Sequence, residues 1–252
     1  MTVAAMQRAL IARGYDLGTG GPSGRGDDGD VGPRTRTALR AFQASAGLPV
    51  TARFDAATEA ALAAGAASVA QAEPGRAGVV DPSWMPAAKM DRIIVHWTAG
   101  AHRASELDRG HYHILIEADG RLVRGKPSIR ANQAPAGAGC AAHTLGCNSG
   151  SIGVSLCCMA GAVENPFDAG SAPMTRAQWD RLPEVLADLC RRYAIAVGPR
   201  TVLSHAEVQD TLGIRQRGKW DIARLAFDPS VRGAKACGDL FRARTAALLR
   251  AA

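Results

Sequence analysis

Two histidines close apolar, β-branched runs: Ile93-Ile94-Val95-His96 and Thr201-Val202-Leu203-Ser204-His205. Strand ends are where side chains converge on one edge of a sheet and still meet solvent. A neutral imidazole nitrogen is a favoured zinc ligand, and a catalytic zinc site typically takes three protein ligands and leaves the fourth position to water. Downstream, Gly218-Lys219-Trp220-Asp221 sets a cation and a carboxylate two positions apart, on the same side of an extended segment. The carboxylate can complete a zinc set, and the ammonium can stabilise a developing oxyanion. The alternative for His96 and His205 is a pair of unrelated packed or surface histidines.

The elements that must position these groups form a mixed sheet with helices packed on it. Arg92 to Trp97 reads as a buried strand, with Thr98-Ala99-Gly100 turning the chain at its end. Tyr112 to Ile116 alternates before an Asp119-Gly120 turn, and Leu122-Val123 starts the return strand of a hairpin. Ser151 to Cys157 is a further strand, and Thr201 to Ser204 another. Thr175-x-x-Gln178 is a capping box opening a helix whose apolar face carries Trp179, Leu182, Leu186, Leu189 and Tyr193. Pro183 inside that pattern predicts a kink or a later start. Ala234 to Leu249 reads as a closing helix.

A composition shift to Ala, Gly, Ser and Pro from Ala63 to Pro86 reads as a linker. It divides the chain into residues 1–66, a linker over 67–88 and a domain over 89–252. In the first part Val3, Met6, Leu10 and Ile11 recur at helical spacing before Gly14. Gly32-Pro33 opens a second helix that Gly47-Leu48-Pro49 stops, and Asp55 can cap a third running to Leu62. Three short helices around one small core are the simplest arrangement.

The formal charge of +7 favours anionic partners. No basic run is interleaved with aromatic residues, so nucleic acid is excluded as the expected partner. The apolar stretches are too short to span a bilayer, so no stable membrane insertion is expected. The basic tail from Lys235 to Arg250 reads either as a packing helix or as a contact with an anionic membrane. Residues 1–12 lack the pattern of a signal peptide, which predicts synthesis in the cytoplasm. The six cysteines, at 140, 147, 157, 158, 190 and 237, contain no C-x-x-C pair. They read as buried thiols, with a disulfide among Cys140, Cys147 and the 157–158 pair as the alternative.

Four blocks occur in order: I-I-V-H-W-T-A-G at 93–100, H-Y-H-I-L-I-E-A-D-G at 111–120, S-I-G-V-S-L at 151–156, and S-H-A-E-V through G-K-W-D at 204–221. Together they resemble the zinc-dependent N-acetylmuramoyl-L-alanine amidases, the family of phage endolysins, muropeptide-recycling amidases and peptidoglycan-recognition proteins. The order M-Q-x-x-L-x-x-x-G-Y, D-G-D-V-G-P-x-T-x-x-A-L-x-x-F-Q, G-L-P over residues 3–62 resembles the peptidoglycan-binding module attached to many wall hydrolases. That second resemblance departs in the Gly-rich insertion from Gly18 to Gly26, and in Thr51-Ala52-Arg53-Phe54 where a second Asp-Gly turn is usual.

The resemblance implies an α/β fold with a mixed central sheet flanked by helices, preceded by a small three-helix module. It implies zinc held by His96, His205 and Asp221, with Lys219 near the reacting carbonyl and Tyr112 beside the attacking water. Ser155 stands where the recycling branch carries a glutamate, and a hydroxyl is no general base at neutral pH unaided. His143, in A-A-H-T-L-G-C-N, is either a substrate or supporting residue or a structural one. Glu207 either orients a ligand or is a solvated carboxylate. Strand alternation turns His111 and His113 away from Tyr112, and His102 reads as exposed. The activity implied is hydrolysis of the bond between muramic acid and L-alanine by a bacteriolytic endolysin, a monomer acting on peptidoglycan after holin-type release. The rival readings are a recognition protein that binds wall fragments without cutting them, a thiol hydrolase using Cys157 or Cys158, and a cytoplasmic recycling amidase.

Overall fold

Two buried glutamines, one in each of two successive helices, organise the N-terminal unit. The computed structural model describes residues 2–12, 15, 17–24, 26–45, 48–62 and 78–250. The expected stops at Gly14 and Gly47, and the linker from 63 to 77, lie outside the described residues. The chain divides into two compact units, Met1–Arg76 and Ala77–Ala252. In the first, α1 spans Val3–Ala12, α2 Pro33–Ser45 and α3 residues 56–62. Met6, Leu10, Leu39, Phe42 and Leu62 form its buried centre.

Gln7 Nε2 donates to Asp28 Oδ1, the Asp30 carbonyl and Thr35 Oγ1, and its Oε1 accepts from the Gly29 amide. Gln43 repeats every one of those bonds one helix later: Nε2 donates to Thr51 Oγ1, the Arg53 carbonyl and Thr58 Oγ1, and Oε1 accepts from the Ala52 amide. Both glutamines are fully buried and satisfied, as buried amides must be. Asp55 Oδ1 accepts from the Thr58 amide and hydroxyl, the cap expected at α3.

In the larger unit a five-stranded sheet runs in the order β3-β2-β4-β1-β5. Its strands are β1 Arg92–Trp97, β2 Ile114–Ile116, β3 Leu122–Arg124, β4 Ser151–Leu156 and β5 Val202–Ser204. All pairings are parallel except the β2–β3 hairpin. Because both faces are covered, β1 reads as an unbroken apolar run rather than an alternating one. One face presents Ile93, Val95, Ile152, Val154, Leu156 and Val202 to α5 (Arg176–Tyr193) and α7 (Ala234–Arg250). On the other face Ile94 and Leu203 pack with Cys147 and with Val208 of α6 (His205–Leu212). α4 covers Glu106–His111, and a two-stranded ribbon, β6 Arg224–Leu225 and β7 Asp228–Arg232, precedes α7.

Several expectations change in detail. Residues 78–88, assigned above to the linker, pack on the larger unit: Val80 is buried and its amide donates to Asp188 Oδ2. α5 starts at Arg176 and continues through Pro183. The proline lacks the N–H that would reach the Trp179 carbonyl. Arg244 Nη1 of α7 donates to that carbonyl instead, at 3.3 Å. Gln178 completes the Thr175 capping box and also donates to the Ile116 and Cys157 carbonyls, tying the helix start to the ends of β2 and β4. α7 packs with Cys237 and Phe241 fully buried, which favours the packing helix over the membrane contact. Among the described residues no helix is long and apolar enough to cross a membrane. All six cysteines are free, and all but the half-buried Cys140 are buried.

The two halves of the glutamine repeat differ at one strained point. Gly29 has φ +85° and its counterpart Ala52 has φ +56°, a left-handed conformation that crowds a Cβ. Ala52→Gly should stabilise the N-terminal unit by about 0.5–1 kcal/mol, relief of strain outweighing the added freedom of the unfolded chain. A rise in the denaturant midpoint of that unit in the full chain is the expected result; an unchanged or lower midpoint counts against the strain.

Candidate metal centre

His96 lies one residue from the end of β1, and alternation puts it on the face shared with Ile94 rather than against α5 and α7. Its register partner is Ser155 of β4. His205 follows β5 directly and is the first residue of α6, whose start is fixed by a capping box between Ser204 and Glu207. Asp221 arrives from a loop after α6. Its carbonyl accepts from the Ala206 amide, and the neighbouring Trp220 ring stands edge-on to Trp97, 4.7 Å between centroids. Three separate chain segments thus deliver three buried ligand groups to the carboxyl-terminal edge of the parallel strands, where open α/β sheets bind ligands.

The ligand atoms of His96, His205 and Asp221 all lie within 4.8 Å of one another. Nδ1 of His96 and Nδ1 of His205 are each 3.1 Å from the same oxygen, Asp221 Oδ2. Donors around a tetrahedral zinc at bond lengths of about 2.0–2.1 Å stand about 3.3 Å apart, so these separations fit such an ion. The hydrogen-bond network supports the same conclusion. Gln216 Nε2 donates to the Leu145 and Ile214 carbonyls, which leaves its Oε1 to accept from His205 Nε2 at 2.9 Å. With its proton on Nε2, a neutral His205 turns the Nδ1 lone pair toward a carboxylate oxygen. Two acceptors in contact repel unless a cation lies between them.

Electrostatics keep these groups in ligand form. Burial pushes His96 down to about 4, against the pull of Asp221, so its imidazole is neutral at ordinary pH. Asp221 stays below the usual carboxylate range despite the burial that would raise it.

The outer nitrogen of His96 meets His143 Nδ1 at 3.2 Å and Thr144 Oγ1 at 3.4 Å. His143 therefore supports a ligand. Its ring lies against Gly153 of the S-I-G-V block, where an added Cβ would come within 2.7 Å of the ring. Behind it, His113 Nδ1 accepts from the Gly153 amide and Nε2 faces Asn132 Oδ1, so His113 is a satisfied core residue. Asn132 in turn donates to the Ala141 and Asn148 carbonyls and so clamps the loop that carries His143. The alternation argument placing His113 opposite Tyr112 does not apply, because the strand starts only at Ile114. Tyr112 is the C-cap of α4.

The Tyr112 ring lies 5.2 Å from the His96 ring. Burial and the Asp221 charge raise its pKa, so the phenol stays protonated. Among the described residues the buried Ser155 hydroxyl has no hydrogen-bond partner. Lys219 is exposed, and its charge acts on His96. Glu207 is neither solvated nor beside a ligand. It is buried and turned to Arg242, and its contribution to His205 is the cap. His102 is half-buried and reaches the Pro173 carbonyl, while His111 is exposed. The thiol alternative fails chemically: Cys157 and Cys158 are fully buried, and burial pushes the first up to about 12 and the second well above its usual value. Gln216, Thr144 and Asn132 were not anticipated. Gln216 sits between Arg215 and Arg217, a context that reads as solvated surface.

Three buried imidazoles set a pH dependence. Burial lowers His96 and His113 to about 4 and His143 well below its ordinary value. Above about pH 6.5 the folded and unfolded states are both neutral at these sites and stability is fully present. As pH falls from 6.5 toward 4, the unfolded chain takes up protons that the folded chain refuses, and stability drops across that window. Melting of the metal-free protein should fall across that window, and His113→Gln should flatten the slope by roughly a third; a slope unaltered by the substitution would remove His113 from the account.

The N-acetylmuramoyl-L-alanine amidase family matches residues 86–222, and the peptidoglycan binding domain family matches residues 2–62. No curated protein matches the chain. Among solved structures it is similar to the amidase AmiD from E. coli bound to anhydro-N-acetylmuramic acid-L-Ala-D-gamma-Glu-L-Lys, at 22% identity and a TM-score of 0.34, over 53% of this chain and 52% of that one. The match thus spans about half of the AmiD chain. The endolysin amidase LysCS from Clostridium intestinale is similar at 16% identity and a TM-score of 0.32, over 54% of this chain and 94% of the other. The Ph2119 endolysin of a Thermus scotoductus bacteriophage is similar at 19% identity and a TM-score of 0.32, over 54% and 83% of the respective chains. With the family match covering all three ligand positions, the chain belongs to the N-acetylmuramoyl-L-alanine amidase family and carries a peptidoglycan binding domain before it.

Proposed function

We propose that the protein is a zinc-dependent peptidoglycan hydrolase of the endolysin kind, cleaving the amide between N-acetylmuramic acid and L-alanine in the polymeric wall. The observation that carries this reading is the convergence of His96 Nδ1 and His205 Nδ1 on one oxygen of Asp221, within the family-matched stretch. His96, His205 and Asp221 would hold the metal, which when bound acidifies water toward a pKa of about 7 and polarises the scissile carbonyl.

The chain's own residues do the rest. Gln216 fixes the tautomer and pose of His205, and His143 with Thr144 does so for His96. Tyr112, protonated at neutral pH, acts as a hydrogen-bond donor: it orients water or the carbonyl oxygen and is no general base. Lys219 supplies positive charge where negative charge grows on the carbonyl oxygen. The products are a muramic acid carboxylate and a peptide with a free L-alanine amine. The peptidoglycan binding domain supports polymer over soluble fragments as substrate, since tethering raises local substrate concentration without adding contacts at the reacting bond.

Purified sacculi digested with the zinc-loaded protein should release new L-alanine amines detectable by mass spectrometry. Chelation or His96→Ala should reduce that release by at least about 10³-fold. Undiminished hydrolysis after either change, or new reducing sugar ends without free amines, would overturn the reading. Tyr112→Phe should lower kcat by about 10²-fold with little change in KM, the behaviour of a donor used mainly in the transition state.

A further inference from the structure

The family match ends at residue 222, yet the helix beyond it reaches back to the metal centre. Arg242 of α7 is buried, and its guanidinium grips Glu207 at both oxygens: Nη1 donates to Oε2 at 3.1 Å and Nη2 to Oε1 at 2.8 Å. The same Oε2 accepts from the Ser204 amide and hydroxyl, the cap that starts α6 at His205. Arg242 Nη1 also donates to the Val202 carbonyl in β5 at 3.0 Å, and Nη2 to Asp239 Oδ1 at 2.8 Å. One side chain therefore fixes the strand three residues before His205 and the carboxylate two residues after it.

Gly238 makes the contact possible. A Cβ there would stand 2.4 Å from both Glu207 carboxylate oxygens, so a larger residue would push the carboxylate out of its present pose. A bidentate guanidinium–carboxylate pair carries geometric specificity that a lysine point charge does not. The geometry also separates this pair from the ligand atoms: Glu207 contacts neither His205 Nδ1 nor His96, and acts on His205 through the backbone.

We propose that Arg242, through Glu207 and the space left by Gly238, is a positioning residue for the metal ligand His205, which makes α7 a working part of the metal centre. The inference rests on the zinc reading above. It predicts that loosening the Arg242–Glu207 clamp weakens metal binding more than it weakens the fold.

The test uses the full chain. Zinc affinity is measured by competition with a chromogenic chelator, and the visible spectrum of the cobalt-substituted protein reports ligand geometry. Arg242→Met should lower zinc affinity by about 10- to 100-fold and shift the cobalt bands, the scale expected when a ligand's support is lost. Arg242→Lys, which keeps the charge but not the fork, should fall between the variant and the parent, and it serves alone if Arg242→Met does not fold. Arg244→Met, on the same helix but bonded to the Trp179 carbonyl and Asp180, is the control for general destabilisation and should leave zinc affinity within about twofold. If the folded Arg242 variants bind zinc within twofold of the parent with an unchanged cobalt spectrum, the positioning role is wrong. If the parent itself binds no zinc, it is the metal reading that fails.

Discussion

Everything in the larger unit is arranged around an unfavourable contact: two imidazole nitrogens held against one carboxylate oxygen, with the proton of at least one of them directed elsewhere. Such an arrangement survives only if the surrounding structure over-determines it. The over-determination is visible residue by residue. Gln216 cannot turn its amide without losing the Leu145 and Ile214 carbonyls, and His143 is wedged between Gly153 and the His96 ring. The Asp221 backbone is bonded to the helix that His205 begins. The energy that keeps these groups in place comes from the apolar face on the other side of the sheet, where β1, β4 and β5 meet α5 and α7.

That division of labour follows from the period of two along β1. Ile93, Val95 and Trp97 go to the core that stabilises, while Ile94 and His96 go to the face that carries the candidate metal centre. Polar groups around the candidate metal centre are bonded in chains instead of pairs: His96 to His143 and Thr144, His113 to Gly153 and Asn132, and Asn132 to the loop carrying His143. Ser155 departs from this pattern: among the described residues its buried hydroxyl has no hydrogen-bond partner. An unsatisfied buried hydroxyl costs on the order of 1–3 kcal/mol, which the packing around it must offset.

The sequence made β1, the Asp119-Gly120 hairpin, the α5 capping box and the placing of His96 and His205 at strand ends legible, because each rests on short-range signals: β-branched runs, a turn dipeptide and a cap. Two helices were missed. α4 is six residues with no apolar period, held by Ser105 and Asp108. α6 begins with no intervening loop after β5, so Ser204-x-x-Glu207 was read as a strand end followed by a carboxylate near the metal. The same letters are a capping-box signature, which accounts for Glu207. Gln216, Asn132 and Arg242 were not legible at all, because their partners are brought to them only by the tertiary fold. The Pro183 helix illustrates the same limit: what makes the proline tolerable is an arginine on a different helix.

The paired glutamines of the N-terminal unit carry a different lesson. Gln7 finds Asp28 21 residues away, whereas Gln43 finds Thr51 after only 8, yet the bonds are the same. Each glutamine reads only the far end of its loop, so the intervening chain can lengthen at little entropic cost. The greater length of the first loop, the Gly-rich stretch included, therefore leaves unchanged the bonds by which its glutamine closes the helical frame.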